Sequence, residues 1–227
     1  MSMTDPLLPP MGAARPPIPV RLADAPRSGG LVVPYITLTH RDRTRPVWGK
    51  VHAPAQRRVW RQKLCQICGQ PLLDWAVVYL RPADYTRGIA VEPGMHPECA
   101  HYSASACPVL AGRINRYHPD PDRHLSPCGD TRCACRIWTR VTEVPPHLAG
   151  QPAEAWYEGW LPLSDYTVVT DHGNDTTPPI TGVDLREVRL RRLRRIRSGG
   201  PGGEQPTDPL AVIIAVRKIF GYGEDLQ

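Results

Sequence analysis

Phenylalanine occurs once in 227 residues, and lysine three times against 25 arginines. No apolar run approaches the ~20 residues that a bilayer-spanning helix needs. The longest, Leu210 to Val216, falls far short. That excludes a helical membrane protein. No basic n-region, apolar h-region and cleavage site stand in order at the N-terminus, so a soluble cytoplasmic protein is expected. There is no G-x-S-x-G elbow, no P-loop and no dinucleotide fingerprint. Nothing points to a small-molecule substrate. The scarcity of lysine against arginine is most simply the mark of a GC-rich coding genome.

Proline and glycine are abundant, 27 and 19 residues, about a fifth of the chain against the usual ~12%. Much loop and disorder is expected, with an ordered core of ~100–150 residues. So small a core would gain from a metal staple.

Seven cysteines supply the strongest signal. Cys65 and Cys68 stand as CQIC, and His96 and Cys99 as HPEC, with 27 residues between the pairs. Each pair folds as one tight unit, and the gap lets the chain return to a shared tetrahedral zinc. In a reducing compartment such pairs read as metal ligands rather than disulfides. Around them the sequence predicts a knuckle, a β-hairpin (75–80 with 88–91) and a helix whose first turn carries His96 and Cys99. This is a treble-clef-like core in an α+β chain. A second zinc remains open at Cys107, Cys128, Cys133 and Cys135, with His118 or His124 as substitutes, although Cys133 and Cys135 look too close to reach one ion easily. Buried or loop thiols are the alternative.

The remaining organisation reads as follows. Residues 1–30 form a Pro-rich disordered arm. Residues 31–110 form the zinc-binding domain, with a strand over 31–39 that Pro34 confines to an edge or splits. A helix is predicted over Ala53–Leu64. Residues 111–180 form a loop-rich extension with a strand at 136–142, a short helix over Pro152–Glu158 and a β-like stretch at 165–170. An Arg-rich segment (181–197) is predicted helical from a capping box at Asp184–Glu187. A flexible linker (198–207) precedes an apolar helix, with Asp208 as N-cap, Pro209 at N1 and Gly221 closing it. That helix is apolar nearly all round and is expected to be buried against this chain, a second copy or a partner. Trp156, Tyr157 and Trp160 read as core or interface.

The net charge of +6 is concentrated. Residues 41–63 carry eight Lys/Arg and one Asp, and residues 186–197 seven Arg and one Glu. Arg57, Arg58, Arg61 and Lys63, flanked by Trp48 and Trp60, and Arg189, Arg191, Arg192, Arg194 and Arg195 are the candidate nucleic-acid contacts. A solvated basic face is the plainer alternative for both.

The segments VPYIT (33–37), GKVHAPAQRRVW (49–60), LCQICGQP (64–71) and HPECAHYSASACPVL (96–110) resemble a family from actinobacteria and their phages and mobile elements. The likeness covers about 80 residues. In that family the position of His96 takes His or Cys, as a zinc ligand would. Its usual Arg before Gln-Arg-Arg is Ala55 here. The family has no established activity, so the resemblance implies a mobile-element setting and no mechanism. Together these features predict a non-enzymatic zinc-finger protein that binds nucleic acid or a nucleic-acid-associated complex. The alternatives are a protein adaptor with a structural zinc and, third, an HNH-like nuclease. The nuclease would need a hairpin histidine, and none occurs between Gly69 and Met95.

Overall fold

A computed structural model describes residues 16–120, 125, 127–138, 149–173, 179–202 and 208–219. The chain is α+β. Short strands β1 (Arg27–Ser28) and β2 (Leu31–Val32) pair, then β3 (Thr37–Thr39) pairs with β4 (Pro46–Val51). The prolyl break at Pro34 separates β2 from β3, since proline cannot donate to a ladder. Helix α1 (Ala53–Gln62) follows, with Pro54 in its first turn. Next come β5 (Trp75–Leu80), α2 (Pro82–Arg87), β6 (Ile89–Ala90) and α3 (Pro97–Ala106). The later elements are β7 (Trp156–Pro162), β8 (Val168–Asp171), β9 (Ile180–Asp184), β10 (Arg192–Arg197) and α4 (Pro209–Ile219).

The central sheet is antiparallel, in the order β10–β7–β5. Its register sets Tyr79 opposite Glu158 and Glu158 opposite Arg194, with Val77, Trp160 and Arg192 in the neighbouring row. Side chains alternate across a strand, so these residues share one face. Helix α3 covers its inner part, where the Tyr79 hydroxyl donates to the Ala100 carbonyl. On the opposite face Leu80, Tyr157 and Leu190 close the core, and a Cβ at Gly159 would stand 3.0 Å from Leu190. The Tyr157 hydroxyl donates to the carboxylate of Asp208, whose other oxygen accepts the Leu210 and Ala211 N–H groups as the α4 N-cap. A second sheet, β6–β9–β8, completes the fold.

Several expectations are corrected. Strand β5 and the β6 segment form no hairpin: they join different sheets, and α2 lies between them. Pro82 at N1, the Asp84 carboxylate on the Arg81 N–H and Gly88 in the left-handed C-cap build that helix. In place of a hairpin, β5 meets the chain once more at a Val77–Met95 bridge, with reciprocal N–H to carbonyl bonds of 2.9 and 2.8 Å. The Arg-rich segment is not a helix. Asp184 ends β9, its carboxylate takes the Arg186 N–H and guanidinium, and β10 pairs with β7. Long-range pairing overrides the local capping signal, as the scattered apolar positions foreshadow.

Residues 152–159 likewise do not form a helix; the aromatic run lies in the middle strand, β7, of the central sheet. Residues 134–137 form a 3-10 turn, and the rest of the strand predicted at 136–142 falls mostly outside the described residues. Residues 16–30, placed in the disordered arm, are packed: Leu22 is fully buried, and Arg21 ion-pairs with Glu98 of α3. Residues 1–15 lie outside the described residues, as do 203–207 of the linker and the Gly221 cap. Gly200 of the linker is held, its N–H donating to the Ala153 carbonyl. Leu210 of α4 is buried, but Val212, Val216 and Ile219 are 55%, 45% and 77% exposed, so the helix is covered on one side only. Among the described residues no helix is long and apolar enough to cross a membrane.

Candidate metal centres

Two tetrads of side chains bring their ligand atoms within 4.8 Å of one another: Cys65, Cys68, His96 and Cys99, and His40, Cys128, Cys133 and Cys135. Each can hold a metal ion. The first is the set predicted from the sequence. The second keeps three of the four cysteines considered for it and replaces Cys107 with His40.

The first centre grows from two short structures. The CQICG turn is held by the Gly69 N–H on the Cys65 carbonyl and the Cys65 N–H on the Gln70 carbonyl, both at 2.8 Å. Gly69 sits at φ +74°, and a Cβ there would come 2.6 Å from the Tyr35 ring, so this turn admits glycine alone without strain. The Val77–Met95 bridge delivers His96 to the N-cap of α3, and Cys99 follows in its first turn. Cys65, Cys99 and His96 are buried and Cys68 partly so. The His96 Nε2–H donates to the Pro71 carbonyl at 2.9 Å, which turns Nδ1 toward Cys68 Sγ at 3.4 Å. An imidazole oriented by a backbone carbonyl is what a metal-binding histidine requires.

The electrostatics reflect how closely these groups are crowded. Burial acts to lower the His96 pKa, but hydrogen bonds with the Cys65 and Cys68 thiols outweigh it and raise it to about 10. Hydrogen bonds from Cys65 and Cys99 hold Cys68 far below the usual thiol range, and contact with Cys65 and Cys68 pushes Cys99 up. Cys68 and Cys99 thus titrate together rather than independently.

The second centre is a meeting of two loops. His40 lies in the β3–β4 connection and the cysteines in residues 128–135. Cys133 Sγ lies 3.7 Å from His40 Nδ1, and Cys135 Sγ lies 3.5 Å from Cys128 Sγ. The Arg41 N–H points at Cys133 Sγ (3.4 Å) and the Cys128 N–H at Cys135 Sγ (3.2 Å). Backbone N–H groups at Cys135 and Arg41 lower the Cys133 pKa to about 6. The His40 ring rests against Trp138, centroids 4.8 Å apart. Cys133 is extended and Cys135 lies in the 3-10 turn that follows. This change of backbone direction lets both reach one point, against the expectation from their spacing.

Cys107 is not a ligand of this tetrad. It caps α3, its N–H donating to the Ser103 carbonyl, and burial raises its thiol pKa. His118 instead accepts the Asp120 N–H, and His124 lies outside the described residues. Sequence reasoning missed His40 because its partners are about ninety positions away, with no local spacing to mark it.

The basic residues fall on two separate elements. Arg57, Arg58, Arg61 and Lys63 are exposed on α1 and at its end. Arg189, Arg191, Arg192, Arg194 and Arg195 are exposed on and before β10. Arg192 lies 5.4 Å over the Trp160 ring and Arg194 pairs with Glu158 at 3.0 Å. Arg197 is different: buried, it donates to the carbonyls of Val109 and Ile114 and so holds the fold. Trp48 packs against the core, and Trp60 has its indole N–H buried.

In comparisons with known proteins, no family model, no curated protein and no solved structure matched this chain.

Proposed function

We propose that this protein is a non-enzymatic zinc-binding protein that attaches to nucleic acid, or to a complex carrying it, through its arginine-rich surfaces. The observation that carries this reading is the pairing of two Cys3His tetrads with exposed arginines on α1 and β10. Three thiolates and an imidazole suit zinc, and four protein ligands complete its tetrahedral shell, which favours a structural ion over a catalytic one. Around the first centre, knuckle, strand and helix follow in treble-clef order, with the β5–Met95 bridge where the hairpin would be. The setting suggested by the family resemblance, an actinobacterial phage or mobile element, suits a small nucleic-acid accessory protein.

Arginines on an exposed edge strand position a phosphate backbone better than they read bases. Binding should therefore be sequence-tolerant and weaken steeply with salt. The test is anisotropy of a labelled DNA duplex and single strand from about 50 to 200 mM salt, with Arg191, Arg192, Arg194 and Arg195 replaced by Gln. Weaker binding with a flatter salt slope is expected. No binding at low salt would overturn the reading. The adaptor reading draws on the uncovered side of α4, at Val212, Val216 and Ile219. Association through that side would be indifferent to salt.

A further inference from the structure

The β3–β4 loop that supplies His40 also carries Arg41, Arg43 and Arg45. The loop that meets it carries Arg132 and Arg136. All are exposed except Arg43, which is half-buried. Arg41 reaches Asp130 at 3.3 Å, and Arg132 lies 3.9 Å from the same carboxylate. Arg45 pairs with Asp42 at 2.6 Å and lies beside Cys128. The five arginines outnumber the two carboxylates among them, and exposed ion pairs of this kind are weak enough for a phosphate to displace.

Arg43 points the other way, its guanidinium 5.5 Å over the Tyr35 ring. Tyr35 in turn lies against Gly69 in the first centre's turn. Tyr35 also packs on the small apolar cluster that holds Val59 of α1, and β4 runs from this loop directly into α1. The arginines at the second centre thus run on, through Arg43, to the basic residues of α1. Among the described residues the two loops meet at the His40 tetrad, at the His40–Trp138 ring contact, beside Arg45 at Cys128, and at Arg41, whose backbone N–H points at Cys133 Sγ and whose guanidinium reaches Asp130.

From this placement we infer that the His40 centre is a metal clamp that assembles a phosphodiester-binding track, in which Arg41, Arg45, Arg132 and Arg136 extend the α1 surface of Arg57, Arg58 and Arg61. This rests on the nucleic-acid reading above and adds to it a site and a metal requirement. A zinc ion bound by His40 and the three thiolates fixes the spacing between arginines that come from loops about ninety residues apart. Without it the same charges stand on two loops held by weaker contacts such as the exposed Arg41–Asp130 pair, and ordering their arginines costs side-chain and backbone freedom on binding. The centre itself touches no ligand; it positions the residues that do.

The test uses the full chain loaded with zinc, with metal content measured alongside binding to a short DNA duplex and its single strand. In the first variant Arg41, Arg45, Arg132 and Arg136 are replaced by Gln. It should keep two zinc ions per chain and lose more than tenfold in affinity. Its salt slope should flatten by about 2–4, at ~0.9 per phosphate contact. His40→Ala should hold one zinc per chain and lose affinity to a similar degree with its arginines intact. His40→Cys should restore both the second zinc and binding. Should His40→Ala fail to fold, the arginine variant and His40→Cys still decide. Binding that depends on the β10 arginines yet survives the four Gln substitutions, or survives loss of the second zinc, overturns this inference and leaves the broader reading standing. A wild-type protein that binds neither duplex nor single strand, and instead takes up an acidic protein, overturns both.

Discussion

The Cys65 centre takes its ligands from two short backbone structures whose nearest members, Cys68 and His96, are 28 positions apart; the Cys128 centre joins Cys133 to His40 across 93. The first is sunk in the core, with the CQIC turn, the Val77–Met95 bridge and α3 converging on it. The second ties loops at the periphery. Closing the longer loop costs about 1 kcal/mol more, since the cost grows only with the logarithm of length. The surroundings decide the rest. At the first centre a bound metal would tie together elements of the core and so take part in folding it. At the second it would be much of what holds the loops together. One donor set would then serve two purposes, folding in one place and positioning in the other.

The largest expected effect breaks the first centre. Cys99→Ser should abolish metal binding there and, with it, the cooperative melt, because the binding energy of a structural zinc is folding energy. Circular dichroism with metal analysis checks this. A Cys99→Ser chain that lacks the first metal and still melts cooperatively near the wild-type temperature would erase the distinction between the centres.

His40→Ala comes next. It should lower metal content from two ions per chain to one while the melt stays cooperative, at a stability cost of about 1–3 kcal/mol, in the range of a lost local constraint rather than a lost core. Global unfolding of this variant would make the two centres equivalent.

The difference between the centres is also a difference in what a sequence can show. Both ligand pairs of the first centre were legible because Cys-x-x-Cys and His-x-x-Cys are local patterns with a fixed geometric meaning. Helices α1, α3 and α4 were legible at their starts from Pro54, Pro97 and the Asp208–Pro209 pair. What failed was long-range. The 152–159 stretch and the Arg-rich segment have helical cues, yet residues 156–159 and Arg192–Arg197 pair within β7 and β10, and only the assembled sheet supplies the partners. His40 failed for the same reason, since its ligand role exists only once β3–β4 lies against the Cys128 loop. Residues 16–30 read as an arm on composition, yet Leu22 has a core position waiting in the fold. The exposed side of α4 was hidden by a uniformly apolar sequence that offers no stripe to divide.

A smaller effect sharpens the comparison, because each centre has a glycine directly after a ligand cysteine. Gly69 has φ +74° and the Tyr35 ring in the way, whereas a Cβ at Gly129 would meet nothing within 4 Å. Gly69→Ala should cost about 1–3 kcal/mol, and Gly129→Ala should change stability by less than about 0.5 kcal/mol. Urea titration of the metal-loaded variants measures both. Equal costs would mean that the Cys128 turn is as constrained as the Cys65 turn.

The smallest effect concerns the strap over the first centre. Arg21 donates to the Glu98 carboxylate at the start of α3 and to Gln70 just beyond the CQIC turn. Burial alone would raise the Glu98 pKa, but the Arg21 hydrogen bond outweighs it and the carboxyl is held below its ordinary value. A carboxylate with a lowered folded-state pKa adds stability at pH above its unfolded value, and that stability is lost as pH falls through the folded one. Both side chains are partly exposed, 26% and 40%, so solvent screening limits the pair to under about 1 kcal/mol. Arg21→Gln should therefore lower stability by that much near neutral pH. The gap to wild type should close as pH falls below the ordinary carboxylate range of about 4, and should shrink in high salt. Metal content should stay unchanged, since Arg21 touches the residues around the ligands and none of the ligands themselves. Loss of the first metal in Arg21→Gln would show that this centre, like the second, depends on a peripheral clamp, and the contrast between the two would narrow to one of degree.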